Sequence, residues 1–534
     1  MSILNVKNLS AEYVGEDESN KALNNISIDL DKNEILGIVG ESGCGKSTLI
    51  KSIMRILSAP GLITSGEVYY KKENILNMTD SELSKIRWKE ISLVKQKALN
   101  SLNPVSKIGH QLALPYRFHL GLNKIESENK ARELLELVNI DQIHFDSYPH
   151  ELSGGMRQRV IIAIALALKP DLVIMDEPTT ALDVITEHEI INSIKNLQRE
   201  LKFSIIFITH DLNLLLQFAD KVCVLYDGEL VDYGSVEQIK SGGNHNYTKT
   251  LLDAIPEINT NENSNINDNK RKKILSLKNI NVKYQLGSWI SPDILHAVNN
   301  VSIDLYHSHI TSLIGESGSG KSTIAKAISG LEKLDSGNII QYNDKQSKEA
   351  IHNLNFRKDV QLIFQDPFSA LNPIHTVFHH FERPLLRFGI TKKTEIKSKI
   401  CELLEMVELN PVEEFLYKFP HEMSGGECQR VCIARALSSN PKLIIADEPT
   451  SMLDVSIRSD ILNLFIKLKE KYGLSILLIT HDIASASICS DEIIVLKKGR
   501  IVESGSRLDI IKNPKHEYTK SLLKASTEEW FVKK

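Results

Sequence analysis

Cysteine is scarce in this chain: six among 534 residues, at Cys44, Cys223, Cys401, Cys428, Cys432 and Cys489, with no CxxC pair. That excludes a disulfide scaffold and the common zinc frameworks, so reduced thiols are expected. Cys428 and Cys432, one helical turn apart, read as helix-packing residues. Long apolar runs are missing too. The longest conspicuous one, Val160 to Leu168, has nine residues and stops at Lys169-Pro170, against the roughly 18 to 20 that a spanning helix needs. The opening MSILNVKNLSAEY lacks the basic and long apolar regions of an export signal, and the expectation is a chain that stays in the cytoplasm. Charge of one sign is nearly absent in excess. A net of −4 removes bulk attraction as a reason to bind nucleic acid or anionic lipid. With 27 glycines and 16 prolines the chain is not of low complexity. What remains is 42% hydrophobic and 25% charged residues, an ordinary globular composition at a length that suggests several domain-sized units.

The chain repeats itself. GESGCGKST at Gly40 to Thr48 returns as GESGSGKST at Gly315 to Thr323, and YPHELSGGMRQR at Tyr148 to Arg159 returns as FPHEMSGGECQR at Phe419 to Arg430. DEPTTALDV from Asp176 returns as DEPTSMLDV from Asp447, and ITHD ending at Asp211 returns ending at Asp482. His210 and His481, Glu177 and Glu448, Ser153 and Ser424, and Tyr13 and Tyr284 all stand 271 residues apart, Lys46 and Lys321 275, and Gln96 and Gln365 269. Two homologous halves differing by short insertions account for this. Between them EINTNENSNINDNKRKK, residues 257–273, reads as a solvated linker. The expected domains are therefore 1–256 and 274–534.

In each half an apolar run (ILGIVG, ITSLIG) leads into a glycine loop and then a helical pattern, while DLVIMDE or KLIIADE ends in carboxylates and SIIFITH or SILLITH ends in histidine. Strands alternating with helices imply an α/β fold with a mostly parallel sheet and its ligands at the strand C-termini. GxxxxGK[ST] is a phosphate cradle, its glycines letting backbone N–H groups wrap an anion at a helix N-terminus. Lys46 and Lys321 would reach the β- and γ-phosphates, and Ser47 and Ser322 would place a hydroxyl on Mg²⁺, supported by Asp176 and Asp447. Glu177 and Glu448 would orient or deprotonate the attacking water. The Ser-Gly-Gly turns, Ser153, Gly154, Gly155 and Ser424, Gly425, Gly426, offer a second anion cradle, the plainer reading being a helix cap.

With these motifs in place, both halves resemble the ATP-binding cassette (ABC) ATPases. The resemblance implies two tandem P-loop ABC ATPase domains, each with an α/β core, an antiparallel β-subdomain and a helical subdomain. It makes Gly40, Glu41, Ser42, Gly43, Cys44, Gly45, Lys46, Ser47 and Thr48, and Gly315, Glu316, Ser317, Gly318, Ser319, Gly320, Lys321, Ser322 and Thr323, the Walker A loops that bind ATP. Asp176-Glu177 and Asp447-Glu448 become Walker B ends, and the Ser-Gly-Gly turns become signature motifs. His210 and His481 match switch histidines facing the γ-phosphate. Gln96 and Gln365 match Q-loop glutamines sensing Mg²⁺ and water, and Tyr13 and Tyr284 match the aromatic that stacks on adenine. The family's head-to-tail sandwich implies two composite sites formed by pairing of the halves.

FQDPFSALNP from Phe364, and the closing HNYTKTLL from His245 and HEYTKSLL from His516, narrow the likeness to importer ATPases for oligopeptides, dipeptides, glutathione and nickel. This implies two integral-membrane permease partners, a solute delivered by an extracytoplasmic binding protein, no nucleic acid, and a peripheral place on the cytoplasmic membrane face. TALD at Thr180 to Asp183 and SMLD at Ser451 to Asp454 match the family's D-loops. Some positions depart from the family: Lys95, Lys97 and Ala98 around the first Q-loop, Met156 and Glu427 for the signature glutamine, and Met452 in the second D-loop. The family's cysteine-bearing C-terminal extension is missing, and no iron–sulfur cluster is expected. The alternative is a soluble twin-cassette ATPase acting on ribosomes or nucleic acid, whose relatives carry charged helical linkers or zinc and iron–sulfur cysteines.

Overall fold

A computed structural model describes residues 2–15, 19–95, 101–180, 182–255, 271–288, 291–343, 346–349, 353–451 and 453–526. Gln96, Lys97, Ala98, Met452 and residues 257–270 of the expected linker lie outside them. The chain divides into two compact units, the main division falling after Ile255. Lys273 already opens a strand, Lys273–Ser288.

In the first unit a six-stranded sheet runs in the order Glu229–Ser235, Lys221–Tyr226, Ile35–Val39, Ser204–Ile208, Leu172–Asp176, Ile91–Val94. All neighbours are parallel except the edge hairpin, where Lys221–Tyr226 and Glu229–Ser235 pair antiparallel. The three central strands are buried along their whole length, which is why they read as unbroken apolar runs rather than alternating ones. Alternation reappears in what each face touches. Val173, Met175, Ile205 and Phe207 pack into a helical layer with Val160, Ile190 and Leu215. Leu172, Ile174, Ile206 and Ile208 pack against Leu4, Ile26 and Val68 of a four-stranded antiparallel sheet. That is the period-2 geometry of a strand clamped between two layers. Truncating a wholly buried side chain such as Met175 to Ala should cost about 2–5 kcal/mol.

The second unit repeats the plan, with the order Val360–Ile363, Leu443–Asp447, Ser475–Thr480, Ile310–Ile314, Glu492–Lys497, Arg500–Ser506 and a four-stranded antiparallel sheet beginning with Lys273–Ser288 and Ser291–Tyr306. Its strands also divide their faces: Ile444, Ala446, Ile476 and Leu478 to the helices, Leu443, Ile445, Leu477 and Ile479 to the antiparallel sheet. Between the Q-loop and the signature helix each unit inserts helices, Ile108–Leu120 and Lys124–Leu137 in one, Val377–Arg387 and Ile396–Met406 in the other. The α/β core, antiparallel subdomain and helical subdomain expected from the sequence are all present. No helix among the described residues is long and apolar enough to cross a membrane.

Candidate nucleotide sites

Residues 40–45 turn the chain from the strand Ile35–Val39 into the helix Lys46–Ile53, and 315–320 do the same before Lys321–Ser329. Gly45 and Gly320 sit at the helix N-caps with φ of 103° and 104°, a left-handed conformation that a side chain strains. A Cβ on Gly45 would also lie 2.4 Å from the carbonyl oxygen of Ala22. The turn bends the Lys46 ammonium back onto the loop, where it donates to the carbonyls of Gly40 (2.6 Å) and Glu41 (2.7 Å). Lys321 donates likewise to Gly315 and Glu316, both at 2.8 Å, and stands 4.0 Å from the Glu448 carboxylate. Both lysines are buried. Burial pushes the Lys321 ammonium below the usual lysine range, with Glu448 and Asp447 opposing.

Asp176 and Asp447 end buried strands directly opposite these helices. Ser47 Oγ donates to Asp176 Oδ2 at 3.2 Å, and Ser322 Oγ to Asp447 Oδ1 at 3.0 Å. Burial pushes both carboxyls above the ordinary range, and Asp176 Oδ1 is buried without a hydrogen-bond partner among the described residues. A buried carboxylate oxygen left unsatisfied beside a serine hydroxyl is a hard-oxygen donor set of the kind Mg²⁺ takes. The residues present therefore fit that ion: Ser47 with Asp176, Ser322 with Asp447.

Glu177 and Glu448 come next, and both have φ of 46°. A non-glycine residue held there is strained, and such strain gathers at functional positions. The backbone is clamped by bonds from Glu177 N to Ile208 O (3.0 Å) and from Glu448 N to Ile479 O (2.9 Å). This left-handed step turns each carboxylate out of the sheet toward the histidine that follows the neighbouring strand. His210 Nδ1 lies 3.8 Å from Glu177 Oε1, and His481 Nδ1 3.4 Å from Glu448 Oε2. The Gln365 amide donates to the same Glu448 oxygen at 2.8 Å. Burial pushes Glu448 up, but His481 and Lys321 outweigh it and hold the carboxyl below its ordinary value. Burial pushes His481 down, and the Glu448 carboxylate outweighs that and raises it. An ionised carboxylate facing the cradle has the charge state a water-activating group needs.

Tyr13 reaches the P-loop helix through a 3.3 Å bond between its hydroxyl and Thr48 Oγ1. Tyr284 donates to Glu332 at 2.9 Å and also has Thr323, the counterpart of Thr48, as a hydrogen-bond partner. The two Ser-Gly-Gly turns begin the helices Gly154–Leu166 and Gly425–Leu437, and each serine is an N-cap: Ser153 Oγ accepts from Met156 N (3.2 Å), Ser424 Oγ from Glu427 N (3.3 Å). Only the second closes a capping box, Glu427 accepting from Ser424 N at 2.7 Å. The plainer cap reading thus describes these hydroxyls, and the first glycines of both helices keep their amides at a helix N-terminus. Cys428 and Cys432 are buried in the second helix, as packing residues should be.

The sequence marks Thr180 and Ser451 only as the first residues of the two D-loop matches and gives neither a contact. The Thr180 hydroxyl donates to Glu177 Oε2 at 3.1 Å, whereas its counterpart Ser451 donates to the Glu448 backbone carbonyl, also at 3.1 Å. Nothing in DEPTT against DEPTS announces that difference.

Comparison with known proteins gives the family. A family model described as "ABC transporter" matches residues 23–180 and 298–451. A second, "Oligopeptide/dipeptide transporter, C-terminal region", matches 231–279 and 502–531. The glutathione import ATP-binding protein GsiA of Salmonella typhimurium is 38% identical over 98% of this chain and 89% of its own length. Its namesake from Escherichia coli O157:H7 is 38% identical with the same coverage. Among solved structures, the ATP-binding cassette MJ0796 is 32% identical, covering 44% of this chain and 98% of that one, with a TM-score of 0.40. With two family-model matches in each half and a likeness running nearly its full length, the chain belongs to the ABC transporter ATP-binding proteins, as an importer ATPase of the oligopeptide and dipeptide group with two cassettes fused in one chain.

Proposed function

We propose that this ATPase drives uptake of small peptides of the dipeptide, oligopeptide or glutathione type. Its two domains, 1–256 and 274–534, would act on two integral-membrane permease subunits. An extracytoplasmic binding protein would deliver the solute, and the chain would sit at the cytoplasmic membrane face. The observation that carries this reading is the assembly of lysine, serine, aspartate, glutamate and histidine around the same glycine loop in both units, in a chain akin to proteins named for glutathione import.

In the proposed sites Lys46 and Lys321, held by the loop carbonyls, reach the β- and γ-phosphates, and the loop amides wrap the same anion. Ser47 with Asp176 and Ser322 with Asp447 would hold Mg²⁺, joined by Gln96 and Gln365, and the bound ion would supply neutralisation of phosphate charge. Glu177 and Glu448 take a proton from, or orient, the attacking water, and His210 and His481 steady the γ-phosphate. Tyr13 and Tyr284 stack on adenine. By family resemblance, the Ser153 and Ser424 turns engage the nucleotide bound by the opposite half.

Replacing both glutamates, Glu177→Gln with Glu448→Gln, should slow hydrolysis by about 10²- to 10⁴-fold while ATP still binds. Near-normal turnover would remove them from catalysis. Pairing of the halves is read from mutational coupling: Ser424→Arg should add little to Glu177→Gln and nearly abolish activity with Glu448→Gln. The reverse pattern would refute it. For the cargo, vesicles carrying the permeases, the binding protein and this chain should accumulate labelled glutathione or dipeptide in an ATP-dependent way, and failure with every peptide supplied would sink the assignment.

A further inference from the structure

The paired HNYT and HEYT segments stand outside the nucleotide motifs, and the site assignment leaves them without a task. In the second unit the structure gives them one. His516 caps the helix Glu517–Ala525, its Nδ1 accepting from Tyr518 N at 3.1 Å. The start of this helix is tied to the strand Arg500–Ser506 by Glu503, whose two carboxylate oxygens accept from the amides of Lys515 (2.7 Å) and His516 (3.0 Å). Tyr518 is buried, with the Lys497 ammonium 4.5 Å from its ring centroid. So held, its hydroxyl oxygen accepts a hydrogen bond from the backbone amide of Glu316, at 2.7 Å.

That amide belongs to the phosphate loop, and it shares one planar peptide group with the carbonyl of Gly315. The Gly315 carbonyl is an anchor of the Lys321 ammonium, at 2.8 Å. Tyr518 and Lys321 thus grip the two ends of one peptide, and hydrogen bonds in series through an amide reinforce each other. Rotation of this peptide would break both bonds and redirect the lysine.

We infer that Tyr518 is a positioning residue of the second nucleotide site, through which the C-terminal HEYT helix braces the phosphate loop and sets the affinity for ATP. The inference rests on the proposed assignment of Lys321 to the phosphates. Tyr518→Phe removes one oxygen and keeps the ring, the lysine contact and the Glu503 clamp, so it isolates the brace.

The test is binding of a fluorescent trinitrophenyl-ATP to the full-length chain in two backgrounds. With Lys46→Ala only the second site binds, and Tyr518→Phe should weaken it by about two- to tenfold, the span of one neutral hydrogen bond. With Lys321→Ala only the first site binds, and the same change should leave affinity as it was. In the otherwise unaltered chain KM for ATP should rise while kcat holds. Unchanged affinity at the second site, or equal weakening at both, overturns the brace. Retained binding in the Lys46→Ala, Lys321→Ala double variant instead overturns the lysine assignment, and the inference with it.

Discussion

The side-chain amide of Gln365 donates to Oε2 of Glu448 at 2.8 Å, so the second residue after the strand Val360–Ile363 holds the carboxylate that follows the strand Leu443–Asp447. These strands are adjacent and parallel, with Ile363 opposite Ala446. Register alone therefore brings the two residues together. His481, beyond the next parallel strand, approaches the same oxygen. Three neighbouring strand ends converge on one carboxylate, the arrangement that open parallel sheets favour for ligand sites.

Gln365→Ala leaves Glu448 without this donor. Measured in a Glu177→Gln background, so that the second site supplies the turnover, kcat should fall about tenfold, the worth of one hydrogen bond to a charged group. Retained kcat would show that the bond plays no part in aiming the carboxylate.

The first site aims its glutamate by a different bond, from Thr180. In a Glu448→Gln background Thr180→Val should lower kcat about fivefold, and Thr180→Ser, which keeps the hydroxyl, should restore it. Ser451→Ala in the Glu177→Gln background should change kcat little, because Ser451 touches the Glu448 carbonyl and not its carboxylate. Equal losses from Thr180→Val and Ser451→Ala would refute this division.

The sequence made the strands, the glycine loops and the acidic strand ends legible because each is written in contiguous residues. Gly40 to Thr48 carries its own turn, helix start and lysine. The hidden parts depend on residues far apart in the chain or on backbone shape. That Glu177 and Glu448 hold positive φ follows from bonds to Ile208 and Ile479, which no local pattern encodes. That Tyr518 meets Glu316, 202 residues earlier, follows from the packing of a C-terminal helix. The repeat of HxYT in both halves was the available signal, and it marked the segment without saying what it touches. Ser153 and Ser424 carry two meanings, cap and anion turn, and the structure alone shows the cap bonds.

Glycine at the end of the first phosphate loop is required twice over, by φ and by the Ala22 carbonyl 2.4 Å from any Cβ. Gly45→Ala should destabilise the loop by about 1–3 kcal/mol and reduce ATP binding more than tenfold in a Lys321→Ala background, where binding reports the first site. Gly43 has φ of 88° but nothing within 4 Å of a Cβ, so Gly43→Ala should do less harm. Equilibrium nucleotide titration of both variants decides it, and the reverse ranking would count against the steric account.

The first unit has its own clamp on the C-terminal helix, built on Asp232. This buried carboxylate accepts from the amides of Asn244 (3.0 Å) and His245 (2.9 Å) and from the hydroxyl of Thr248. Burial alone would raise its pKa, but the bonds from Thr248, His245 and Asn244 outweigh burial and hold it below the ordinary carboxylate value. A depressed carboxyl stabilises the fold fully above its unfolded pKa, near 4, and the contribution is lost as pH falls through the folded value. Protection of the helix Asn246–Asp253 against amide hydrogen exchange should therefore hold from neutrality down to about pH 4 and fall below it. Asp232→Asn keeps the shape but loses the charge and one acceptor. It should lower protection at neutral pH by about 1–3 kcal/mol and flatten the acid dependence, so that the two profiles converge as pH drops. Parallel profiles for the two chains would show that the acid loss of this helix comes from another group.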